Sequence, residues 1–346
     1  MGECVPSAID RVVREGYEVI SLYDRETDSK VELVPRLGGN IVSFAKLING
    51  QWIEIIATPP TLETLVDLPT RWGNGVLFPY PGRVSNDQFV YRGRQITLPR
   101  DPTTANAMHG LIRRREWKVV ESGVSQYGEV WILLHIGTDI SSISQVEWPF
   151  KFNIYCRVSL KEGKLRTEVK IENVDSETMP FGIGFHPYFN VPFGPSGSFG
   201  DCLIGIEADY LWEGFLDPHP TVSSVGSDMW PRRFLSLDEI PHTVQLPDGP
   251  SRNYTFQRGH NREDVVMGSV IDPVNQVRAD ITVSPDFTSM VMFTPAEAPT
   301  VSLEPHTCIP NALNLVNYST DHDPGLIDLS AGETWSSWYE IDASSL

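Results

Sequence analysis

Polar and apolar residues alternate with a period of two along much of this chain. Lys164 to Glu172 (Lys-Leu-Arg-Thr-Glu-Val-Lys-Ile-Glu) alternates almost strictly, and Val277 to Val283 does the same. Successive side chains of a strand point to opposite faces, so each run predicts a strand with one buried and one wet face. Val130 to Ile136 (Val-Trp-Ile-Leu-Leu-His-Ile) is nearly continuous in apolar residues and predicts a strand covered on both faces. Gly and Pro, 27 of each, break these runs at short intervals, as turns do. Helical periodicity is scarce. Ser7 to Glu15 predicts one or two N-terminal helical turns, and residues 236–240 a second short helix. Residues 192–200 predict a loop and not a linker, because strand-like sequence continues on both sides. No internal repeat is visible. The pattern predicts an all-β protein, with residues 1–346 forming a single large antiparallel β-sandwich.

Composition narrows the function. With 346 residues and 40% hydrophobic content the chain buries a substantial core. A net charge of −18 argues against a nucleic-acid surface, which needs clustered Lys and Arg. It also disfavours a polyanionic substrate unless a local basic pocket overrides it. The four cysteines have no CxxC pairing and read as reduced thiols of a cytoplasmic protein. No signal-like start or apolar run near ~18 residues is present, so neither export nor membrane insertion is expected. Zinc spacings, a Gly-x-Ser-x-Gly elbow, a P-loop and a glycine-rich dinucleotide turn are all missing, so no metal and no cofactor are expected.

Four segments carry candidate chemistry. Residues 73–83 surround Val-Leu-Phe with Gly and Pro and then deliver Arg83, whose guanidinium offers five fixed donors to a polyol. The alternative is a surface arginine after a turn. Asn106 to Gly110 ends in His109-Gly110, where glycine permits close approach or positive φ. Its histidine serves either a site or only a turn. Gly184 to Asn190 (Gly-Phe-His-Pro-Tyr-Phe-Asn) holds His186 in extended backbone before a proline. Gly182 and Gly184 leave room for a ligand, and Tyr188 and Phe189 offer aromatic faces to a sugar. Glu304 ends an alternating run in which Ser302 shares its face, and Pro305 stops normal pairing. That carboxylate is either a general base or an exposed edge residue. His306, two residues on, shares the face.

The order and spacing of these segments resemble the aldose 1-epimerase (galactose mutarotase) family, from about Val31 to Ile341. Pro35-Arg36-Leu37-Gly38-Gly39, Leu77-Phe78-Pro79 leading to Arg83, and Asn106 to Gly110 followed by Trp117 carry the resemblance. So do Trp148-Pro149-Phe150, His186-Pro187-Tyr188-Phe189, Glu304-Pro305 with Pro310-Asn311-Ala312, and Leu329 to Thr334. The resemblance implies a β-sandwich with an open sugar cleft and cofactor-free exchange of α and β anomers. It implies Glu304 as general base, His186 as general acid, and His109 and Arg83 as groups that hold and polarise the sugar. Two positions depart from the family. Gly82 stands where an asparagine is usual, with Asn86 a nearby replacement. Asn253 stands where an aspartate usually binds a sugar hydroxyl, with Asp248 a nearby substitute. Tyr188 is expected to bind substrate as well. The expected partner is a small sugar, a neutral hexose or a related one, and the expected assembly is a monomer or homodimer. A phosphorylated hexose would need basic residues at the cleft, for which Arg113, Arg114 and Arg115 are candidates. The competing readings are a non-catalytic sugar-binding or sensing protein and a glycosidase. The latter needs a second facing carboxylate, and no motif supplies one.

Overall fold

A computed structural model describes residues 7–102, 104, 106–139, 143–214, 216–217, 219–225, 234–246, 249–259, 263–296, 298–318 and 321–346. Two large antiparallel sheets, of 13 and 9 strands among the described residues, make up the β-sandwich. The alternating runs are strands of the smaller sheet. Lys164–Asn173 and Val277–Val283 flank the C-terminal strand Thr334–Ser345. Their apolar positions, Leu165, Val169, Ile171, Ala279 and Ile281 among them, enter a core cluster that also takes Ile20, Phe44, Phe185 and Leu303 from the larger sheet. Phe185 meets Tyr339 across the sandwich with ring centroids 4.2 Å apart.

Four local expectations are corrected. Ala8–Arg14 is a strand, not a helix, and pairs with Tyr17–Asp24 at the edge of the larger sheet. Arg14 sits opposite Tyr17, so the hairpin loop is Glu15-Gly16, both with positive φ. That is the two-residue turn that matches strand twist, and the ladder it creates overrides weak helical patterning. Residues 236–240 are the end of the strand Leu235–Ser236 and a turn. Ser236 Oγ accepts the Asp238 N–H and Glu239 reaches back to the Ser236 N–H, but Pro241 follows before a helix can propagate. Val130–Gly137 is a strand covered on one face only. Trp131, Leu133 and His135 are half-buried on the other, where Arg157 lies 4.8 Å from the Trp131 ring. Pro305 does not end its strand, which runs Thr300–His306 with Pro305 opposite Met290. Residues 192–200 are a connection, as expected, between Gly184–Asn190 in one sheet and Leu203–Ile206 in the other. Cys156, Cys202 and Cys308 are free and buried; Cys4 lies outside the described residues.

Candidate active site

The site is built across the middle of the larger sheet, where neighbours run Asn74–Leu77, Gly184–Asn190, Thr300–His306, Ser289–Thr294 and Gly249–Gln257. Register decides which side chains meet. Gly184 pairs with His306 and Tyr188 with Ser302, which sets His186 opposite Glu304. Gly75 lies on the other flank of His186, while Val291 faces Glu304 and Phe293 faces Ser302. Asn253 is opposite Phe293. Alternation turns Phe185, Phe189, Val301 and Leu303 into the core and leaves His186, Tyr188, Ser302, Glu304 and His306 on the site face. Glu304 is therefore neither exposed nor on an edge: it is 2% exposed, on an interior strand.

Loops above this floor deliver the remaining groups. Arg83–Val84 pairs with Ala107–Met108, so Arg83 and His109 arrive side by side. The His109 N–H donates to the Gly82 carbonyl (2.8 Å) and the Gly82 N–H donates to His109 Nδ1 (3.2 Å). His109 has φ +58 and Gly110 φ +71; a Cβ on Gly110 would stand 2.0 Å from the Phe78 carbonyl oxygen. This glycine serves packing of the loop onto Phe78 and not the approach of a ligand. Asn311, also at positive φ, accepts the Ser85 N–H on its side-chain oxygen (3.0 Å) and so ties the Pro310-Asn311-Ala312 turn to the Arg83 segment. The cavity over this floor is open on one side, has a volume of about 280 Å³ and includes Arg83, His109, His186, Tyr188, Asn253 and Glu304 among its walls.

Burial sets the protonation chemistry. His186 Nε2 lies 3.3 Å from Glu304 Oε1, and His306 Nε2 lies 3.2 Å from Oε2. Desolvation pushes the Glu304 carboxyl up to about 7, against the opposing pull of His186 and Arg83. Burial lowers both histidines, His306 to about 3. Burial, reinforced by His186, holds His109 well below the ordinary histidine value. The tautomers follow from hydrogen bonds. Ser302 Oγ lies 3.0 Å from both the Pro187 carbonyl oxygen and His186 Nδ1; when its proton goes to the carbonyl it accepts from Nδ1. That leaves a lone pair on Nε2, facing Glu304. One proton between the two groups satisfies both, carried by the carboxyl in one form and by the imidazole in the other. His109 accepts at Nδ1, so its neutral ring carries the proton on Nε2 as a donor.

The sequence-based candidates fare unequally. Glu304, His186, His109, Arg83, Asn253 and Tyr188 all line the cavity. Tyr188 is itself stacked on His186, with centroids 5.0 Å apart. Asp248 lies outside the described residues. The space beside Gly182 and Gly184 belongs to no ligand: a Cβ at either would meet Cys308 Sγ or the His306 ring at 2.3 Å. Phe189 points into the core. Asn86 is no replacement at the cleft, for it sits in a turn with φ +57 and its N–H donates to Asn106. Arg115 pairs with Glu147 (3.1 Å) away from the cavity, while Arg113 and Arg114 line it. Sequence reasoning missed Asp67, Arg71, Met108, Val291 and Phe293 as lining residues. Only the period-two pattern around Glu304, extended to the neighbouring strand, would have found the last two.

His109, His186 and Glu304 place donor atoms within 4.8 Å of one another, a composition compatible with a metal ion. The hydrogen bonds oppose that role. A ligating imidazole must present a lone pair, and His109, already accepting from Gly82, presents an N–H.

Two large antiparallel sheets, with an imidazole–carboxylate pair in a cavity on the larger one, make a fold of the galactose mutarotase-like class. The family model for aldose 1-epimerase matches residues 24–342, and the chain belongs to that family. The fold matches a galactose mutarotase-like protein from Clostridium acetobutylicum (TM-score 0.83, 18% identity, 99% of each chain). It also matches galactose 1-epimerase from Lactobacillus acidophilus (TM-score 0.73, 15% identity, 98% of each chain). Among curated sequences, the uncharacterized protein YihR of Escherichia coli is 21% identical over 253 residues, 72% of this chain and 74% of YihR.

Proposed function

We propose that the protein is an aldose 1-epimerase that interconverts the α and β anomers of a sugar by acid/base ring opening, without a cofactor. The observation that carries the proposal is the contact of Glu304 with His186 inside a cavity of sugar-like size. In this reading Glu304 removes the proton of the anomeric hydroxyl while His186 gives a proton to the ring oxygen. The bond from the anomeric carbon to the ring oxygen breaks, and an open-chain aldehyde forms. The first carbon–carbon bond rotates, and reclosure on the other face returns both protons. The reactive arrangement needs one proton on the pair, and burial brings the carboxyl to a pKa near the operating pH. His109 Nε2–H and the Arg83 guanidinium hold the sugar oxygens, Asn253 meets a distal hydroxyl, and Met108, Val291 and Phe293 supply apolar wall. The same reading takes the chain as one domain, since the principal core cluster draws on both sheets.

The test is anomer exchange by NMR with the Glu304→Gln variant. Loss of a general base predicts a fall of about 10²–10⁴-fold, with sugar binding retained by calorimetry. Wild-type turnover in the variant removes Glu304 from the mechanism. Saturable binding with no exchange in the wild type would make the protein a sugar sensor.

A further inference from the structure

Glu304 meets two imidazoles, one at each oxygen. His186 Nε2 stands at Oε1 and His306 Nε2 at Oε2. The acid/base exchange described above uses only the first. His306 lies two residues further along the same strand, so its side chain rises from the same face as Glu304. The ring borders the cavity and is completely buried. Gly184, opposite it on the neighbouring strand, makes its seat: a Cβ there would collide with the ring. Ser289 lies opposite on the other flank.

A leucine would fill that seat with no polar atom to satisfy, so a buried imidazole there calls for a partner. Among the described residues neither ring nitrogen makes a hydrogen bond, and neither does Glu304 Oε2. Nε2 and Oε2 are 3.2 Å apart, in a bent approach that a small rotation of either side chain straightens. Burial keeps the ring neutral, with its pKa pushed down to about 3, so it has one proton to place. On Nδ1 that proton would be a buried donor without an acceptor, and the lone pairs of Nε2 and Oε2 would face each other. On Nε2 it points at an acceptor, and only the Nδ1 lone pair is idle. An idle buried acceptor is tolerated better than an idle N–H. His186 is arranged the other way round: with its Nδ1 proton on Ser302 Oγ, it turns a lone pair toward Oε1. A carboxyl proton on Oε2 would meet an N–H, whereas on Oε1 it meets a lone pair.

We infer that His306 is a positioning residue of the proton-transfer pair: its Nε2–H holds Glu304 Oε2, fixes the orientation of the carboxyl and makes Oε1 the oxygen that exchanges the proton. This rests on the epimerase reading above. The other titratable or charged groups around Glu304 are His186 and Tyr188 on one neighbouring strand and Arg83 and His109 from the loops. Arg113 acts on His186, and Val291, facing Glu304 from the other neighbouring strand, is neutral.

The experiment compares wild type, His306→Leu and His306→Gln in anomer exchange of glucose and galactose, read by NMR across pH. With no proton on the pair there is no acid, so exchange falls as pH rises through about 7. Losing an N–H donor disfavours the charged carboxylate and raises its pKa, so His306→Leu should move this fall upward by about one pH unit. It should also lower kcat about 10-fold with little change in KM, because the carboxyl is no longer held in line. His306→Gln keeps an N–H donor of similar reach and should restore both. A wild-type profile in His306→Leu, or equal displacement in the leucine and glutamine variants, overturns the positioning role. The imidazole nitrogen NMR spectrum of the wild type needs neither activity nor a folded variant. A proton on His306 Nε2 supports the role, and a proton on Nδ1 overturns it. If neither sugar is exchanged, that spectrum and the pH titration of the Glu304 carboxyl carbon still decide the contact, so failure of the epimerase reading and failure of this proposal are told apart.

Discussion

Glu304 and Asp101 are both carboxylates buried to within a few per cent of complete exclusion from water, and their surroundings differ in every other respect. Glu304 projects from an interior strand between two neutral imidazoles, with one arginine nearby. Asp101 lies in a loop and is clamped by two guanidiniums. The first environment penalises charge without cancelling it, so the carboxyl is left able to gain or lose a proton near neutrality. The second cancels charge directly and makes the carboxylate a fixed counter-ion. Burial alone therefore does not make a catalytic acid; what matters is whether the neighbours neutralise it.

The comparison is broken most directly at the pair itself. His186→Asn removes the proposed general acid, and exchange should fall by about 10²–10⁴-fold, comparable with Glu304→Gln, as NMR exchange spectroscopy would read. An intact rate would mean that another group supplies the proton. At the contrasting carboxylate, Asp101→Asn leaves the buried Arg113 without its ionic partner. Removing one member of a buried pair costs about 3–5 kcal/mol, visible as a lower denaturant midpoint. A variant as stable as wild type would show that Asp101 is not a structural counter-ion. Gly184→Ala drives a Cβ to within 2.3 Å of the His306 ring. That overpacking should cost about 1–3 kcal/mol and slow exchange through displacement of the imidazole behind Glu304. Unchanged rate and stability would show that His306 moves freely.

The smallest effect, and the sharpest on protonation, is the pH profile. With two protons on the pair no base is available, and with none there is no acid. Exchange should therefore fall as pH rises through about 7, where burial has placed the Glu304 carboxyl. It should fall again on the acid side below the ordinary histidine value, since burial lowers His186. A rate that climbs steadily from pH 6 to 9 would sink the shared-proton picture.

Much of the site was legible because its carriers are local. His-Pro-Tyr-Phe and Glu-Pro stand on strands, where a period of two assigns faces, and six of the seven candidate site residues line the cavity. Where a residue's purpose depends on what lies across the fold, reading failed. Gly182 and Gly184 looked like space for a ligand, but Cys308 and His306 fill it. Asn86 looked like a spare donor and is part of a turn. The edge strand Ala8–Arg14 reads as helix because the nine residues of weak pattern from Ser7 to Glu15 say nothing of the partner strand that completes their hydrogen bonds.

The alternation of apolar residues by itself determined that this is an antiparallel sandwich, because period-two burial admits little else. The motif spacings determined which polar residues were worth attention. Only the tertiary structure decided the strand register that sets His186 against Glu304. It alone decided the burial that raises the carboxyl toward neutrality, and the folding of two distant loops that gathers arginines onto one rim of an acidic protein. Charge totals and motifs are properties of the chain. Fields and pKa values are properties of distances, and distances exist only in the folded molecule.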